Sequence, residues 1–125
     1  MQKINEAAKK FEKLLIEQYE RVERINAQKE FLDYSSLDTI KIGVVGGDEI
    51  GPAITNEASR IMESLLKDEI EKGKVQIKHI DGLTIENRAA AGKAIPDDVL
   101  SELKECHAIL KGPTTTPRAG DPWPN

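Results

Sequence analysis

Three consecutive hydroxyls, Thr114, Thr115 and Thr116, stand between Pro113 and Pro117, with Lys111 before them and Arg118 after. Threonine hydroxyls can donate to carboxylates, amides or phosphates, and the flanking prolines limit the entropy such a loop loses on closing over a ligand. Lys111 and Arg118 suit an anion, although isolated basic side chains are mostly solvated surface. A plain rigid connection has the same look in the residues alone. The second cluster, Gly43-Val-Val-Gly46-Gly47-Asp48-Glu49-Ile50-Gly51, invites a dinucleotide reading, because glycines after a strand let backbone amides approach a pyrophosphate at a helix start. Its spacing is not Gly-x-Gly-x-x-Gly, and no Gly-Lys-Ser/Thr follows, so neither a pyrophosphate cradle nor a P-loop is expected. It reads instead as a turn that packs strand closely on helix. Asp48 caps that helix or lies in a site.

The remaining reactive residues point to structure. Cys106 is expected to be a structural thiol rather than a nucleophile. His79 and His107 stand 28 residues apart without partners at ligand spacing, so a metal pair is not expected. Glu86-Asn87-Arg88 can orient a polar group or cap and solvate a short helix. Trp123, between prolines, reads as a side chain awaiting a partner.

The elements that must position these residues follow from periodicity. Residues 3–33 hold no Gly or Pro, and Ile4, Ala7, Ala8, Phe11, Leu14, Leu15, Val22 and Ile25 recur every three or four positions, which predicts one long amphipathic helix. Gln18 interrupts the column 4, 11, 18, 25, leaving a pattern short of a coiled coil and suited to lying on its own domain or a neighbouring subunit. Its mixed charges disfavour a membrane surface. A linker at Tyr34–Asp38 precedes a β-branched strand at 39–45, then a tight turn. A helix opened by Pro52 follows, with Ile54, Ala58, Ile61, Met62, Leu65, Leu66 and Ile70 in helical spacing up to Gly73. Val75–Ile80 alternates as a second strand, giving a β-α-β unit with parallel strands. Short helices are expected at Thr84–Ala91 and from Ile95-Pro96-Asp97-Asp98, whose two acids suit the positive helix end, with Val99, Leu100 and Leu103 facing a core. Ala108-Ile-Leu110 reads as a third, buried parallel strand whose carboxyl end delivers the threonine loop, the place where open α/β sheets bind ligands.

At 125 residues the chain is one domain or part of one, arranged as an N-terminal helix and linker (1–36) and an incomplete α/β domain (37–125). Apolar residues make up 38% against the usual share of about 45–50%, which suggests an extended polar element or an incomplete domain. A net charge of −4 supplies no positive field, so nucleic acid is not an expected partner. One cysteine and no long apolar run point to a cytoplasmic chain without membrane segments.

Lys41-Ile-Gly-Val-Val-Gly-Gly-Asp-Glu-Ile-Gly-Pro52, Thr84-Ile-Glu-Asn-Arg88, Ala94-Ile-Pro-Asp-Asp98 and Ala108-Ile-Leu-Lys-Gly-Pro-Thr-Thr-Thr-Pro117 together resemble the start of the isocitrate/isopropylmalate dehydrogenase family, over about residues 39–125. The resemblance implies an α/β fold that is not Rossmann. It further implies a longer, dimeric enzyme that oxidises a 2-hydroxy acid with NAD or NADP and decarboxylates the product using Mg²⁺ or Mn²⁺. By the same resemblance Thr114, Thr115 and Thr116 form the loop on the nicotinamide-ribose side of the cofactor, beside substrate, with Thr115 and Thr116 the closer matches. The Lys-Gly-Pro-Thr-Thr-Thr-Pro form leans to isocitrate over isopropylmalate. Glu49 stands where the family usually has Gly, which makes Asp48 and Ile50 structural.

The family's later substrate-binding Ser, Asn and arginines, its Tyr and Lys, and its metal-binding aspartates have no counterparts in these residues. The expectation is therefore an N-terminal fragment that is inactive alone, with no catalytic or metal residues of its own. Uncovered strand edges make its independent stability doubtful. The competing reading is a non-catalytic interaction protein whose helix at 3–33 self-associates or docks on a full-length dehydrogenase subunit.

Overall fold

The computed structural model describes residues 1–27 and 32–121, which form two compact units, 1–35 and 36–125. Trp123 lies outside the described residues. In the first unit the expected helix runs over Gln2–Ala27 (α1), and none of its residues is buried. Of its expected end, residues 28–31 lie outside the described residues, and Leu32 and Asp33, expected to be helical, are not; the chain then enters a 3-10 turn at Tyr34–Ser36. Asp33 starts that turn by accepting from the Ser35 N–H and Oγ at 2.9 and 2.6 Å, as short polar side chains do before a helical turn.

The second unit is mixed α/β. Strands β1 (Ile40–Val45), β2 (Val75–His79) and β3 (Ala108–Lys111) form one parallel sheet in the order β2-β1-β3. The central strand carries the best-buried run, Gly43-Val44-Val45, because both its neighbours are strands. Alternation sends Val45 to one face, where it packs with Ile80, Leu83 and Val99 and with the partly buried Leu103 and Cys106. A Cβ on Gly43 would lie 2.9 Å from Cys106 Sγ, so the thiol fills the space this glycine leaves.

Two expectations require correction. The third strand is not buried: β3 is an edge, and Ile109 is 48% exposed. A short apolar run does not distinguish a central strand from an edge whose outer neighbour is absent from the described residues. The helix expected to continue to Gly73 breaks at Leu66 (φ −100°, ψ 15°) into α2 (Gly51–Leu65) and α3 (Lys67–Glu71). The buried side of α2 is also small and polar, Gly51, Thr55 and Ser59, while Ile54, Ile61 and Leu65 are exposed. Close approach to the loops beside it, described below, selects Gly51 and Thr55.

Helix α4 (Ile85–Ala91) begins with Thr84 accepting from the Asn87 N–H and ends on left-handed Gly92, whose neighbour Lys93 donates back to the Arg88 carbonyl. Helix α5 (Asp97–Lys104) starts after Pro96 with Asp97 and Asp98 at its positive end, and buries Val99. Lys78 of β2 reaches Glu102 and Glu105 beside it, at 3.1 and 3.2 Å.

Candidate functional site

The chain leaves β1 outward to β2, then crosses back to β3 on the other side of β1, so the strand order reverses between β1 and β3. Ligands of open α/β sheets bind at such a reversal, off the carboxyl ends of the strands. Here that position brings together the turn after β1, the threonine loop after β3 and the start of α4.

Asp48 joins the three. Its Oδ2 accepts from the Thr115 N–H and its Oδ1 from the Ile85 N–H, both at 2.7 Å, while its own N–H donates to the Pro113 carbonyl at 2.8 Å. The Asp48 carbonyl accepts from the Gly51 N–H at 2.8 Å, which closes the turn into α2. Arg88, 6% exposed, completes the clamp: Nη1 donates to the Thr115 carbonyl at 2.8 Å and Nε to the Ala94 carbonyl at 2.9 Å. Thr115 is thus held from both sides of its backbone, by an anion at its N–H and a cation at its carbonyl.

Burial is the largest single influence on the Asp48 carboxyl and opposes its ionisation. Hydrogen bonds from the Thr115 and Ile85 N–H groups and the Thr115 hydroxyl, with the nearby Arg88 charge, together outweigh it and hold the pKa below the ordinary value. A depressed folded-state pKa contributes stability that is complete above the unfolded value and lost as pH falls through the folded one. The urea midpoint of the wild-type chain should therefore fall below about pH 4, and Asp48→Asn should show a shallower acid fall. Superimposable acid limbs for the two proteins would show that Asp48 is not the group involved.

Glycines set how closely the loops approach. A Cβ on Gly112 would lie 2.0 Å from the Gly46 carbonyl oxygen and 2.5 Å from Thr55 Oγ1, and one on Gly51 would lie 2.2 Å from that same oxygen. Gly47 adds a φ of +77° and a Cβ position 2.0 Å from the Pro113 oxygen. Glu49, with φ 51°, is the one described non-glycine residue in left-handed backbone. The turn accepts this side chain at a conformational cost, and Glu49→Gly is expected to raise stability by about 1 kcal/mol, read as a higher urea midpoint. A midpoint lowered by the glycine would mean that the Glu49 side chain contributes more than its backbone costs.

The three threonines have separate surroundings. Lys111 Nζ donates to Thr114 Oγ1 at 3.1 Å and to the Gly112 carbonyl at 3.0 Å, which leaves the Thr114 hydroxyl proton free to donate elsewhere. Thr115 turns its hydroxyl to Asp48. Thr116 is exposed, and its hydroxyl makes no hydrogen bond among the described residues. Beside Thr115 a cavity of about 260 Å³ is lined by Gly47, Asp48, Glu49, Thr84, Ile85, Glu86 and Thr115. Two exposed carboxylates, Glu49 and Glu86, stand at its wall, so its field suits a cationic or neutral hydrogen-bonding group better than a phosphate.

Two features were missed by sequence reasoning. Arg88 was open between an orienting and a capping role, and the structure makes it a buried clamp on the threonine loop. Asp48 reads as structural in the sequence but without its partners, because nothing in one sequence joins residue 48 to residue 115. The histidines stay apart: His79 ends β2, whereas His107 precedes β3 at the other end of the sheet and accepts the Lys41 N–H at Nδ1. Among the described residues no group of three His, Cys, Asp or Glu side chains is gathered for a metal, and both Asp48 oxygens are committed to N–H donors. These residues do not fit a divalent cation. No described helix is long and apolar enough to cross a membrane.

The family model for isocitrate/isopropylmalate dehydrogenase matches residues 41–123. The chain is 34% identical over 82 residues to a 3-isopropylmalate dehydrogenase of Staphylococcus saprophyticus, covering 66% of this chain and 23% of that protein. It is 32% identical over 82 residues to a homoisocitrate dehydrogenase of Methanocaldococcus jannaschii, covering 66% and 21%. Over 73 residues it is 40% identical to a 3-isopropylmalate dehydrogenase of Burkholderia thailandensis, covering 58% and 19%. The chain thus spans about a fifth of the length of these curated relatives. No solved structure matches it significantly.

Proposed function

Since the chain belongs to the isocitrate/isopropylmalate dehydrogenase family, we propose that residues 46–49, 84–88 and 112–118 form the nicotinamide side of the cofactor pocket in an NAD- or NADP-linked dehydrogenase of a 2-hydroxy acid. The observation that carries this reading is the Asp48–Thr115–Arg88 clamp, which fixes the threonine loop at the strand-order reversal. The cavity beside it fits the group: its lining holds the hydroxyl-bearing Thr84 and Thr115, which suit a carboxamide or ribose, and Glu49 and Glu86, which complement a cationic ring. NAD⁺ or NADP⁺, when bound, supplies the hydride acceptor. The chain's own residues bind and orient: Asp48 and Arg88 keep the Thr115 backbone immobile, and Thr116 presents its hydroxyl outward.

Within this reading the Lys-Gly-Pro-Thr-Thr-Thr-Pro loop supports isocitrate as the acid, in a cytoplasmic homodimer whose Mg²⁺ or Mn²⁺ is held by residues other than those described. The relatives named 3-isopropylmalate and homoisocitrate dehydrogenases favour a second reading, in which the acid is one of those. The test is metal-dependent reduction of NAD⁺ and of NADP⁺ by the gene product that carries residues 1–125, with isocitrate, homoisocitrate and 3-isopropylmalate in parallel. Reduction with isocitrate alone supports the first reading and reduction with either other acid the second. No reduction with any of the three overturns both.

A further inference from the structure

Helix α1 exposes every large apolar side chain it has: Ile4, Phe11, Leu14, Leu15, Ile16, Tyr19, Val22 and Ile25 are 49–68% exposed. At about 1.5 Å per residue its 26 residues are about 39 Å long, and helices draw most of their stability from packing such a face rather than from propensity. The positions Ile4, Ala8, Phe11, Leu15, Gln18, Val22 and Ile25 are spaced alternately four and three apart, the repeat that keeps one seam facing a partner helix.

Two properties of that seam select its occupant. It is nearly symmetric about Leu15, so a second α1 running the opposite way would set Ile4 against Ile25, Ala8 against Val22, Phe11 against Gln18 and Leu15 against Leu15. The charges reverse along the same axis: residues 2–14 carry four lysines and two glutamates, whereas residues 15–27 carry three glutamates and two arginines. An antiparallel pair puts each positive half on a negative one, and a parallel pair stacks like on like. We infer that α1 is a self-association element, which pairs antiparallel with α1 of a second copy of this chain. This stands apart from the dehydrogenase reading, since α1 precedes the segment the family model matches.

The test is the mass of the 125-residue chain in solution against that of the double variant Phe11→Glu, Leu15→Glu. The wild-type mass should be twice that of the variant, while Asp68→Asn, on α3 and outside α1, leaves it unchanged. Equal masses for wild type and double variant overturn the inference. Orientation is read in a Cys106→Ser background by mixing Ile4→Cys with differently tagged Ile25→Cys under oxidation. Disulfide-linked mixed pairs are expected. Linked pairs of one variant alone would mean a parallel seam and overturn the antiparallel assignment.

Discussion

Asp48→Ala is expected to destabilise the 36–125 unit by about 3 kcal/mol, a large share of the about 5–15 kcal/mol that holds a small domain folded. The substitution removes the acceptor of two N–H groups and leaves buried Arg88 without its neighbouring negative charge. A buried donor left unsatisfied costs about 1–3 kcal/mol, and an uncompensated buried charge costs more than its former pairing contributed. The readout is the urea midpoint followed by circular dichroism. Asp48→Asn keeps the shape and one acceptor, and should fall between wild type and Asp48→Ala. If both variants unfold at the wild-type midpoint, Asp48 does not hold the loops together.

The second large effect belongs to Gly112→Ala, with an expected loss of about 3 kcal/mol. Its backbone angle is ordinary, so the cost is steric: the new methyl would lie 2.0 Å from the Gly46 oxygen and 2.5 Å from Thr55 Oγ1, and backbone must move. The useful contrast is Gly92→Ala, where nothing lies within 4 Å of the added carbon and only the left-handed backbone is penalised, by about 1 kcal/mol. The two variants should therefore differ by a clear gap in urea midpoint. If Gly92→Ala proved as costly as Gly112→Ala, the close approach of the two loops would not be what the glycine provides.

Which features of this protein were legible in its sequence follows from the range of the forces involved. The strand expected at 39–45, the short helix expected at Thr84–Ala91 and the helix opened around Ile95–Asp98 are set by neighbours a few residues away, and periodicity with the acids at a helix start located each to within a residue or two. Leu66 lies within an apolar spacing that runs on to Ile70, and that spacing does not register the change of backbone angle at which the helix breaks. The buried face of α2 escaped for a different reason. Gly51 and Thr55 are selected by how near α2 must come to the loops, and no hydropathy pattern encodes that distance. The same applies to the site. The threonine loop was conspicuous by composition, whereas the contacts that fix it, from Asp48 and Arg88, run across 67 and 27 residues of chain.

The most direct test of the central claim is an amide NMR titration of the 125-residue chain with NAD⁺ and, separately, with NADP⁺, at millimolar concentrations suited to weak binding. If the clamped loop forms the nicotinamide side of the pocket, dose-dependent shifts will cluster at Gly47 to Glu49, Thr84 to Glu86 and Thr114 to Thr116, and Asp48→Asn will weaken them. Saturating cofactor that leaves those amides unmoved, or moves only those along the β2 edge, would contradict it.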